Sequence, residues 1–209
     1  MKRIIIGLLL FLSVSLCFAG GKFEAGLGYH GMIFNETLTF EANQDYHELI
    51  MDINKTYSSF AIHFAFIPYI IKNFGFGFYG NFLLSTVEGD FPINGLDCLI
   101  GPAFMFYNNE KTCVSFTPGM HMSIILLDKT SLSKQIGIGG NVTGEYYFTP
   151  KVYAYARFQL SCDLYSSYSH GGTSSGNALV GYGGKKAQEG KGDISAWNIN
   201  PCIGLGFKW

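Results

Sequence analysis

Charge is scarce in this chain. Lysine and arginine number 14 and aspartate and glutamate 15 in 209 residues, leaving a net charge of −1 at neutral pH. No basic patch exists beyond Lys185 and Lys186, which excludes the electrostatic footprint of a nucleic-acid partner. Long hydrophobic runs are also missing past the first twenty residues. The richest, Phe60 to Ile71, is interrupted by His63 and Pro68, short of the roughly 20 apolar residues that a membrane-crossing helix needs. Cysteine is limited to five residues.

What is abundant is glycine, with 27 residues, and aromatic side chains at 16%, a composition of strand and turn formers. The N-terminus has its own pattern: Lys2 and Arg3, an apolar run from Ile4 to about Leu12, then Ser13, Ser15 and the small-residue end Cys17-Phe18-Ala19. This is the layout of a secretory signal peptide, expected over residues 1–19. A lipidated Cys17 is disfavoured by Leu16 before it. Removal of Lys2 and Arg3 takes the net charge from −1 to −3.

Residues 20–209 form one expected domain of eight alternating segments. The first runs from about Lys22 to Phe34, with Phe23, Ala25, Leu27 and Tyr29 on one face and Glu24, Gly26, Gly28 and His30 on the other. Period-two alternation of this kind specifies strands. The others cover about Ser58 to Pro68, Phe74 to Ser85, Leu96 to Tyr107, Val114 to Ile124, Ile136 to Phe148, Val152 to Asp163 and Trp197 to Trp209. Links alternate in length. Those at Tyr69 to Asn73, Asn108 to Lys111 and Thr149 to Lys151 are short, whereas Asn35 to Tyr57, Thr86 to Gly95, Leu127 to Lys134 and Ser166 to Asp193 are long.

An exported chain that crosses lipid with strands must close them into a barrel to satisfy its backbone. Short turns on one rim and long loops on the other are the pattern of outer-membrane barrels. Which row faces outward follows from volume. The Phe-rich row is too bulky for an eight-stranded lumen, whereas the other row is mostly glycine and small polar residues. The expectation is therefore an all-β fold, an eight-stranded antiparallel transmembrane up-and-down β-barrel in the cell outer membrane, with the aromatics against lipid.

The inward row carries charges of both signs: Glu24, Asp97, Glu145, Arg157, Asp163 and Lys208. They are expected to form a lumenal charge network, with Arg157 diagonally near Glu145 and Tyr107 also inward. Cys98 and Cys162 fall outward, Cys113 and Cys202 inward, so free, buried thiols are expected. Pro102, Pro118 and Pro201 sit mid-strand on outward positions, where each removes a ladder donor.

The signal peptide, the eight strands, the alternating loops and the terminal "GLGFKW" resemble the small bacterial outer-membrane β-barrel superfamily of the OmpA, OmpX and OmpW types. The resemblance implies that Leu205, Phe207 and Trp209 act as the signal read by the barrel-assembly machinery. It also implies, for the OmpW type, a side exit for small hydrophobic molecules, with Pro102 and Pro118 marking the opening. His121 and Ser123 resemble the H-x-S pair of lipid A deacylases, but Gln135 stands where that family would place its glutamate, and no enzyme is expected. No cofactor is expected either. The expected partners are outer-membrane lipid, the assembly machinery and a small hydrophobic ligand; the alternative is a surface-exposed adhesin or structural barrel whose long loops meet a host surface.

Overall fold

The computed structural model describes residues 20–40, 49–84, 94–126, 131–170, 173–175 and 191–209. The expected signal peptide lies outside the described residues. Nine strands follow: β1 (Gly21–Phe40), β2 (Leu49–Ile71), β3 (Phe74–Leu84), β4 (Asn94–Asn108), β5 (Thr112–Leu126), β6 (Ser131–Tyr147), β7 (Val152–His170), β8 (Thr173–Ser175) and β9 (Lys191–Lys208). Each wall strand pairs antiparallel with its neighbours, β6 pairs β7, and β1 pairs β9. The sheet thus closes into an eight-stranded barrel, with the three-residue β8 added at the loop end of β7. Closure removes every sheet edge from the wall.

Alternation sorts the two faces as the volume argument requires. Phe23, Leu27, Phe76, Phe82, Phe106, Phe158, Ile203 and Phe207 are exposed on the outer face, while Glu24, His30, His63, Asp97, His121, Arg157 and Asp163 are buried inside. Lumenal glycines have a second use besides saving space. A Cβ at Gly77 would strike the Tyr79 ring, and one at Gly206 the Tyr153 ring. Both tyrosines fold flat over bare backbone and become fully buried lumen filling, the aromatic cover that weak glycine positions in strands need.

The structure corrects expectations of extent and register. The long links are partly strand: β1 and β2 stay paired from Asn35 with Asn54 to Phe40 with Leu49, β6 begins at Ser131, β7 runs to His170 and β9 begins at Lys191. Backbone pairing needs no apolar alternation once a hairpin leaves the lipid, so the pattern of side chains ended before the strands did. Tyr107 faces outward at 55% exposure. A bulge between Met105 and Tyr107 inserts one residue, which flips the side-chain parity beyond it. All four cysteines of the described chain are free, as expected, and Cys98, Cys113 and Cys202 are buried as well, whereas Cys162 is only half-buried.

Candidate functional site

The lumen is filled by two ion pairs near the short-turn end and a hydrogen-bond network above them. Lys22 Nζ lies 2.7 and 2.6 Å from the two carboxylate oxygens of Glu145, under the rings of Tyr69, Tyr147 and Tyr153 at 5.5–5.9 Å. Tyr147 donates its hydroxyl to Glu145 Oε2 at 2.7 Å. One layer higher, Arg157 Nη2 pairs with Glu24 Oε2 and Nη1 donates to His63 Nε2. Its Nε donates to Thr143 Oγ1 at 2.7 Å, and its guanidinium lies 4.4 Å from the Tyr79 ring centroid.

This geometry revises the expected pairing. Arg157 meets Glu24, and Glu145 takes Lys22, a cation that the reading of the inward row had omitted. The signal was present: Lys22 shares the parity of Glu24, two residues on. Lys208 does not join the enclosed network. It is half-buried at the short-turn rim, 5.9 Å from the Tyr69 ring centroid, and among the described residues it makes no ion pair. Its place as the last residue of β9 puts it at the short-turn rim rather than in the lumen.

Above the ion pairs, Asp97 is the hub. Its Oδ1 accepts from Asn81 at 2.8 Å, Gln159 at 3.1 Å and Asn200 at 3.2 Å. Its Oδ2 lies 2.5 Å from His121 Nε2, and His121 Nδ1 lies 2.7 Å from Asp163 Oδ1. Ionised carboxylates only accept, so both His121 nitrogens donate. Neither is left for Ser123, whose hydroxyl donates instead to Gln135 Oε1 at 2.8 Å. His121 and Ser123 are two residues apart on one strand but belong to separate hydrogen-bond pairs.

The loop end of the lumen has another character. Met32, Leu83 and Ile125 are inward and fully buried there, next to the Ser123–Gln135 pair, whose amide nitrogen donates to Met32 Sδ at 3.4 Å. The lining thus passes from charged to amide to apolar along the axis.

The proline positions meet across one seam. Ile100 pairs with Met120 and Phe104 with Phe116, so Pro102 lies directly opposite Pro118. A Cβ at Gly101 would strike the Pro118 carbonyl oxygen, and one at Gly119 the Ile100 carbonyl oxygen. These carbonyls therefore point into the β4–β5 seam, and in an antiparallel strand a residue turns its N–H and C=O the same way. Both missing N–H groups consequently fall in this one seam. Pro201 lies instead in the closure seam, where the β1–β9 ladder skips from Gly28 with Cys202 to Gly31 with Ile199.

Leu205, Phe207 and Trp209 line the outside of β9. Trp209 bonds through its backbone to Gly21 and stacks on Phe66 with ring centroids 5.5 Å apart. A trough of about 1090 Å³ opens on the same outer side, where Ala25, Ala154 and Ala156 replace the phenylalanines found elsewhere.

No family model matches the chain, and no curated protein sequence does. Among solved structures, the outer membrane protein OprG from Pseudomonas aeruginosa matches with a TM-score of 0.55 at 11% identity, covering 90% of this chain and 96% of that one. The fold is that of the small outer-membrane barrels. Neisserial surface protein A matches with a TM-score of 0.50 at 10% identity, over 88% of this chain and 97% of its own. At these identities the likeness is one of fold, and the barrel's lumen has to be interpreted from its own residues.

Proposed function

We propose that the chain is an outer-membrane barrel of the OmpW type that takes a small hydrophobic molecule into its outer mouth and releases it sideways into the bilayer. The observation that carries this reading is the apolar lining of the loop-end lumen by Met32, Leu83 and Ile125, above a floor closed by buried ion pairs. Such a floor blocks axial flow of water and ions, while the apolar side chains above it would favour apolar solutes over polar ones. The exit is the β4–β5 seam, where Pro102 faces Pro118 and two ladder bonds are absent. A membrane setting is supported by the belt of exposed Phe, Leu and Ile around the wall, which in water would be an apolar patch far beyond that of a soluble monomer.

On this reading the barrel binds and does not catalyse, since both nitrogens of His121 are held by carboxylates. The test is uptake of a fluorescent hydrophobic probe by outer-membrane vesicles carrying the protein. Leu83→Asn should weaken probe binding, and Pro102→Val with Pro118→Val should slow uptake while leaving the fold intact. Uptake unchanged in both variants would reject the route. The second reading, a surface-exposed adhesin or structural barrel, is favoured by the β1–β2 hairpin that stays paired out to Phe40 and Leu49. Loss of host-cell binding on shortening that hairpin, with probe uptake intact, would support it.

A further inference from the structure

The network around Asp97 has a surplus of negative charge, and several buried acceptors on one wall have no partner among the described residues. His121 supplies one positive charge to two carboxylates, Asp97 and Asp163, and all three side chains are buried. Among the described residues, no other charge offsets the difference. Lys22 is committed to Glu145, and Arg157 to Glu24. His63 accepts from Arg157 on Nε2 and donates from Nδ1 to Asn81 Oδ1 at 2.7 Å, which makes it neutral. His30 donates from Nδ1 to Asn200 Oδ1, because the Asn200 amide nitrogen is turned to Asp97. A buried charge without a partner is costly, and proteins avoid it.

The acceptors are fixed by the same carboxylates. Gln159 and Asn198 each present the amide nitrogen to a carboxylate, at 3.1 Å to Asp97 and 3.0 Å to Asp163. A carboxylate cannot donate, so the two amides cannot be flipped, and their oxygens must point elsewhere in the lumen. Gln159 Oε1, Asn198 Oδ1, Ser161 Oγ and His30 Nε2 are buried and have no partner among the described residues, and neither have Asn141 Nδ2, opposite Gln159 on β6, and Ser59 Oγ, opposite His30 on β2. The first four form one patch: Ser161 is paired with Asn198 and Gln159 with Asn200 across β7–β9. His30 lies on the next strand, between the Gly28–Cys202 and Gly31–Ile199 pairs that put it level with Asn200.

We propose that this patch holds one small monovalent cation of the sodium class, bound by Gln159 Oε1, Asn198 Oδ1 and Ser161 Oγ. A water in the cation's shell donates to His30 Nε2. Hard cations prefer oxygen ligands. Here the oxygens are neutral amides and a hydroxyl, and the nearby carboxylates are already engaged, which suits a single charge. Among the described residues no group of three His, Cys, Asp or Glu side chains is arranged to hold a metal ion, which argues against a transition-metal site. The cation would cancel the excess negative charge and satisfy the orphaned acceptors together. This inference does not depend on the solute reading above.

The test refolds the full chain into detergent micelles in sodium, lithium, potassium or N-methyl-D-glucamine chloride at one ionic strength, and follows the unfolding midpoint. A ligand that binds only the folded state raises its stability with concentration. The expected result is a midpoint that rises with sodium and saturates, with no such rise in N-methyl-D-glucamine. Ser161→Ala, a small change, should shift the saturation to higher sodium concentration, and Asn198→Ala should abolish it. If Asn198→Ala does not fold, the unmodified protein and Ser161→Ala decide. Equal midpoints in all four salts would mean that water alone fills the patch and would overturn the proposal, as would a sodium response unchanged by Ser161→Ala.

Discussion

Arg157 and Glu24 form an ion pair inside the lumen although 133 positions separate them in sequence. Both side chains are fully enclosed, so removing one leaves the other charged, buried and without its counter-charge. Such a loss is worth about 3–5 kcal/mol. Glu24→Gln should therefore destabilise the barrel by about that amount in urea unfolding from micelles. A double-mutant cycle should give strong coupling between Glu24 and Arg157 and little between Glu145 and Arg157. The reverse result would restore the pairing that strand parity alone suggests.

His121 holds two carboxylates, and Ser123 holds one amide. His121→Asn should be much the more disruptive change, since it strands Asp97 and Asp163 as like charges without a cation between them. Ser123→Ala removes one neutral hydrogen bond, worth about 1 kcal/mol. Unfolding midpoints of the two variants check the order. Equal, small effects together with loss of lipid hydrolysis would point instead to a catalytic pair.

Pro102 and Pro118 withhold two donors from one seam. Pro102→Val with Pro118→Val should restore them and stabilise the barrel by about 1–3 kcal/mol, each bond being worth 0.5–1.5 kcal/mol net. Hydrogen exchange at Ile100 and Met120, the flanking pair whose amides face the same seam, should slow in the same variant. Unchanged exchange would mean that the seam is already as tight as its neighbours.

Trp209 fastens the end of β9 to Gly21 and to the Phe66 ring. Deleting it should lower the yield of inserted barrel far more than Lys208→Gln, which touches only a rim side chain. The heat-modifiable gel mobility of folded barrel measures both. Equal yields would count against Trp209 as an assembly signal.

Much of this molecule was legible from alternation. A strand turns successive side chains to opposite faces, so Glu24, Asp97, Glu145, Arg157 and Asp163 were inward by parity alone, and bulk decided that the phenylalanines met lipid. Composition and loop lengths carried the barrel itself. What parity cannot supply is position around and along the lumen, because side chains from opposite walls meet through the tilt and stagger of closure. That is why Arg157 met Glu24 rather than Glu145, and why Lys22 entered the network while Lys208 stayed at the rim. The proline seam shows the limit most plainly. Near the turn, Tyr107 pairs with Val114 and Asn108 with Cys113, a count that extended inward would set Pro102 against Gly119. The bulge after Met105 adds one residue to β4 and brings Pro118 opposite instead. The only mark that the extra residue leaves on the alternation is that the consecutive Phe106 and Tyr107 both face outward, which does not tell a bulge from the end of a strand; which backbone groups face each other was decided by the folded sheet.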